Sequence, residues 1–136
     1  MGANVRHEDW PLRLIDFIEA ASGRPFSWGE HDCCLFAADW VREATGSDPA
    51  AGYRGRYRSR SGAARLLREI AGGEVETAAS RALGLPLPSP LLARRGDVAL
   101  VAGALGVVVG GEVALPGEAG LALHPLGTAE KAWRVE

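Results

Sequence analysis

The stretch DCCLFAADWVREATG, from Asp32 to Gly46, sets the fold of this chain. Within it Cys33, Phe36, Ala37, Trp40, Val41 and Ala44 recur at helical spacing and form one apolar stripe. Asp is a preferred N-cap residue, and Gly46 stands where a left-handed C-terminal cap belongs. A core helix follows, and its first turn carries the thiol of Cys33. Cys34 lies one step off the stripe, as a small filler.

Outward from this helix the two halves of the chain differ in texture. Upstream, Asp9 is suited to cap a helix in which Pro11 sits in the tolerant first turn. Trp10, Leu14, Phe17, Ile18 and Ala21 give that helix its buried face, and Gly23 closes it. The segment RPFSWG, Arg24 to Gly29, reads as a loop packed on the core. Downstream, a polar loop from Ser47 to Ser59 leads into a short helix with Ser61 as its cap. Ala63, Leu66, Leu67 and Ile70 point inward there, before Gly72 and Gly73. A further helix is expected from Val75 to Leu83.

After Gly84 the run LPLPSP excludes helix, and short apolar stretches separated by glycine predict strands. These fall at about Asp97 to Ala102, Gly106 to Val109, Glu112 to Leu115, Leu121 to His124 and Ala132 to Val135. Helices first and strands second imply an α+β domain, with N-terminal helices packed on a C-terminal antiparallel sheet. A length of 136 residues fits one domain spanning residues 1–136.

Composition narrows the function. A net charge of -2 argues against nucleic acid or an anionic membrane surface as the main partner. No apolar run approaches the roughly 20 residues that span a bilayer. The start, MGANVRHEDWPLR, has no apolar signal-peptide core, so general export is not expected. The only cysteines, Cys33 and Cys34, are adjacent; a bridge between them would be strained, and reduced thiols are expected. Three scattered histidines beside them match no metal-ligand spacing, so neither a metal nor a cofactor is expected.

The segment WGEHDCC, Trp28 to Cys34, puts a thiol at a helix N-terminus, where unpaired backbone N–H groups and the helix dipole favour the reactive thiolate. The bland alternative is that Cys33 is a small core residue and Asp32 simply a helix cap. The order Asp32-Cys33, then Gly96-Asp97-Val98, then Ala104-Leu105-Gly106-Val107-Val108 resembles the NlpC-type papain-like cysteine peptidases, which cut peptidoglycan stem peptides. In that family the nucleophile lies in a D-C pair at a helix start, and a later H-V-G-I-Y strand carries the general base. More narrowly, Pro25 to Cys33, Thr45 to Pro49, Gly96 to Val98, Ala104 to Val107 and Ala132 to Val135 resemble a small-protein branch encoded beside phage tail genes and those of gene transfer agents. The resemblance implies a papain-like fold, Cys33 as former or actual nucleophile, and a place in a virion tail tip assembled in the bacterial cytoplasm.

The departure from the family pattern matters as much. Ala104 stands where the base His belongs, and an alanine cannot accept a proton. His31, two residues before Cys33, and His124, on an expected strand, are the substitute bases to consider, while His7 reads as a solvated residue before the first helix. The expectation is therefore a structural or docking module of a phage tail that contacts tail or hub proteins. The alternative is a working cell-wall peptidase with a peptidoglycan peptide as its ligand and an unconventional base. The alternation YRGRYRSR, Tyr53 to Arg60, supplies a candidate docking loop in Tyr53, Arg54, Arg56, Tyr57 and Arg58, since Tyr and Arg are enriched at interface hot spots.

Overall fold

The computed structural model describes residues 5–136. Four helices come first: α1 (Trp10–Ala21), α2 (Cys33–Thr45), α3 (Arg60–Ile70) and α4 (Val75–Leu83). Five strands follow, β1 (Val98–Val101), β2 (Ala104–Val108), β3 (Glu112–Gly117), β4 (Gly120–Pro125) and β5 (Lys131–Trp133). They form one antiparallel sheet in the order β4-β3-β2-β1-β5. The expected α+β layout, with helices on an antiparallel sheet, is the observed one.

The sheet is buried on both faces except at its β4 edge, where Ala122, Leu123 and Pro125 are exposed, and its pleat sorts side chains by parity. Val98, Leu100, Leu105, Val107 and Ala114 join Phe36, Ala37, Trp40 and Val41 of α2 in the main core. Ala99, Val101, Val108, Val113 and Ala132 turn to the other face, where Leu87, Ala93, Ala104 and Leu126 pack with them. Gly106 sits where β2 and β3 approach closely, since a Cβ there would lie 2.5 Å from the Ala114 carbonyl oxygen.

Capping follows the expected pattern at α2 and departs from it at two other helices. Asp32 Oδ1 accepts from the Leu35 N–H at 2.9 Å, and Gly46 closes α2 at φ 85°. Asp9 makes no cap bond; its carboxylate accepts instead from Arg13 Nε one turn on, at 2.7 Å. Ser59, not Ser61, caps α3 by accepting from the Gly62 N–H at 3.0 Å. The second strand begins at Ala104, two residues earlier than its apolar run suggested, because Ala102 (φ 50°) and Gly103 (φ 79°) make a tight two-residue hairpin.

Candidate functional site

The site is best built from Asp32, which is 1% exposed. A buried carboxylate is costly unless its oxygens are satisfied. One oxygen caps α2; the other accepts from the Gly29 N–H at 2.9 Å and from the Tyr57 hydroxyl at 2.6 Å. Three chain segments therefore converge on one side chain: the turn before α2, α2 itself and the arginine-rich loop. Burial, and then the bond to Asp32, push the Tyr57 hydroxyl far above its ordinary pKa, so it stays a donor. Gly29 is required where it is: at φ 82°, any Cβ would collide with the Tyr57 carbonyl oxygen.

Cys33 follows as the first residue of α2 and is partly exposed. The expected thiolate is not favoured, which corrects the helix-dipole argument. Burial raises the Cys33 pKa, the backbone N–H of Leu105 opposes this, and the nearby Asp32 charge raises it further. Cys34, rather than Cys33, packs against the main core. Burial pushes the Cys34 thiol up to about 12, so it too is a neutral thiol.

The two candidate bases, His31 and His124, lie in different surroundings. His31 is 1% exposed, and neither Nδ1 nor Nε2 has a hydrogen-bond partner among the described residues. Its ring stands edge-on to Phe36 with centroids 5.7 Å apart. Burial, and next the Arg24 charge, lower its pKa, so the imidazole is held neutral. His124 pairs with Val113 across β3 and β4, and side chains directly opposite share a face. Val113 faces away from α2, so His124 does as well.

Ala104 is placed by the same reasoning. It pairs with Val101 and packs with the cluster on the far face, whereas Leu105 pairs with Leu100 on the helix side. Leu105 and Val107 are the β2 residues turned toward α2, and the Leu105 backbone N–H acts on the Cys33 thiol.

The arginine-rich segment divides. Tyr57 is buried on Asp32, and Arg54 is clamped on Asp48 (Nε to Oδ2, 2.9 Å) and Asp39 (Nη1 to Oδ1, 2.8 Å). Tyr53 is half-buried, while Arg56 and Arg58 are exposed. Only part of the segment is therefore presented to solvent, the rest being structural. Sequence alternation does not separate these roles, because the partners of Tyr57 and Arg54 lie 25 and 6 residues away.

A second buried carboxylate was not anticipated from the sequence. Asp97, fully buried, accepts from Arg6 Nη2 at 2.7 Å, Arg134 Nε at 3.0 Å, the Arg94 N–H at 2.9 Å and the Val135 N–H at 3.1 Å. The only signal was its position beside Gly96 at a strand start. Among the described residues no cluster of His, Cys, Asp and Glu is arranged to hold a metal ion, and no helix is long and apolar enough to cross a membrane.

No curated protein and no solved structure matches the chain. One family does, over residues 5–135, which takes in the Asp32 and Asp97 centres, all four helices and all five strands. The chain belongs to the family described as a domain of unknown function, DUF6950.

Proposed function

We propose that this chain is a tail-tip component of a phage or gene-transfer-agent particle, in which an NlpC-type papain-like scaffold serves docking and not hydrolysis. The observation that carries the reading is the isolation of Cys33. Burial raises the pKa of its thiol, His31 makes no hydrogen bond among the described residues, and His124 lies on the sheet face turned away from α2. Amide cleavage needs a base for the thiol and an acid for the leaving nitrogen, and loss of such a group costs on the order of 100- to 10,000-fold in rate. The tail location is supported by the resemblance of Pro25 to Cys33, Thr45 to Pro49 and Ala132 to Val135 to the tail-associated branch. Arg56 and Arg58 are the side chains of the candidate loop open to a neighbouring subunit.

The test compares wild type with Cys33→Ala on peptidoglycan peptides and in particle assembly. Neither protein is expected to cleave, and Cys33→Ala is expected to assemble normally. The charge reversal Arg56→Glu/Arg58→Glu is expected to weaken incorporation into particles. Cleavage by wild type that Cys33→Ala abolishes would overturn the reading. It would favour the peptidase alternative, for which the unpartnered ring nitrogens of His31 are the specific supporting feature.

A further inference from the structure

A cleft of about 490 Å³ opens between α2, α4, the end of α3 and the helix-facing side of the sheet. Protein interiors are close-packed, with few voids larger than a water molecule, so a space of this size needs a cause. The cause is composition: seven of the lining residues are alanines, among them Ala38 of α2 and Ala78 and Ala79 of α4. Short side chains on facing elements leave the gap unfilled. Cys34, Val98 and Leu105 also line it, which keeps its inner surface apolar. The volume lies within the roughly 300–1,000 Å³ of small-molecule sites.

Its polar groups are few and asymmetric. Asp48 lines the cleft, but Arg54 holds its carboxylate at 2.9 Å, and Arg42 stands 3.7 Å from it. Arg81 lines the cleft from α4, is exposed, and has no carboxylate partner among the described residues. Ser47 and Tyr53 also line it, and Tyr53 is half-buried there. Burial and then Cys34 raise the Tyr53 pKa while Arg81 lowers it, so all three groups bear on one space. The cleft thus joins an apolar interior to one unmatched positive charge and a phenol.

We propose that this cleft binds a small amphipathic carboxylate, with its aliphatic tail among the alanines and its carboxylate on Arg81 and the Tyr53 hydroxyl. A guanidinium is the natural partner for a carboxylate, and a phenolic O–H adds a second donor. The inference does not depend on the role proposed for Cys33, which does not line the cleft.

The test uses decanoate as probe, titrated into the full chain at neutral pH and followed by calorimetry and backbone NMR. Saturable binding of one molecule per chain is expected, with shifts centred on α4 and the loop at Tyr53. Decan-1-ol, which has the tail without the charge, is expected to bind at least about tenfold more weakly. Arg81→Glu is expected to weaken decanoate by at least about tenfold and to remove its advantage over the alcohol. Ala78→Leu, which fills the space from a partly exposed position, is expected to weaken both ligands. No saturable binding at roughly millimolar decanoate would overturn the proposal. So would binding that Arg81→Glu leaves unchanged; that surface variant keeps the test decisive if Ala78→Leu folds poorly.

Discussion

Two buried aspartates organise this molecule in different ways. Asp32 is satisfied by neutral donors alone, two backbone N–H groups and the Tyr57 hydroxyl. Asp97 is satisfied by two guanidiniums as well as two backbone N–H groups. The first ties together elements close in sequence, with Tyr57 its furthest partner at 25 residues. The second joins residues 91 positions apart and fastens Arg6 and Val135 to the start of the sheet. Both stand in dipeptides, D-C and G-D, that invite a catalytic reading. The contrast shows that such pairs are equally well explained by the need to satisfy a buried carboxylate.

The largest expected effect comes from removing the charged centre. Asp97→Ala would leave Arg6 without its buried counter-charge and free two backbone N–H groups, so a loss of about 3–5 kcal/mol is expected in chemical denaturation. A smaller loss at Asp97 than at Asp32 would reverse the ranking drawn from their partners.

Asp32→Ala removes a helix cap and two further bonds to a charged acceptor, for an expected loss of about 2–4 kcal/mol. A double-mutant cycle with Tyr57→Phe isolates the 2.6 Å bond between them. Coupling of about 1.5–3 kcal/mol is expected, and coupling near zero would show that the loop is held by packing instead. Gly29→Ala tests the same centre from the backbone, and a cost of about 1–3 kcal/mol is expected from its left-handed geometry and its contact with Tyr57.

These centres also mark where the sequence was legible. The α2 helix could be read because its signals are local: a period of 3.6, an Asp cap and a C-terminal Gly. The strands could be located because glycines bound them, yet the start of β2 was hidden by Ala102, a residue type that seldom takes positive φ. Which face Ala104 occupies depends on register, so a family pattern aligned by sequence could not tell that its neighbour Leu105, and not Ala104, is turned toward α2. The cleft was invisible for a related reason. Alanines on α2 and α4 look like good helix formers, and only their packing shows that they leave a gap.

The smallest predicted effect separates the Asp32 neighbourhood from the Asp97 centre by pH. His31, beside Asp32, is buried with no partner for either nitrogen among the described residues, and burial lowers its pKa from the ordinary 6.5. The unfolded chain therefore binds a proton at His31 more readily than the folded chain does. Stability from this group is fully present above about pH 6.5 and is lost as pH falls from there through the folded value. Denaturation midpoints measured from pH 8 to pH 5 are expected to decline more steeply in wild type than in His31→Phe, which removes the titrating group and keeps an aromatic edge against Phe36. Equal slopes would mean that the folded chain binds a proton at His31 as readily as the unfolded chain does. A His31 that takes up a proton within the fold would meet one requirement of a base for Cys33, so the same titration bears on whether the thiol is as isolated as its surroundings indicate.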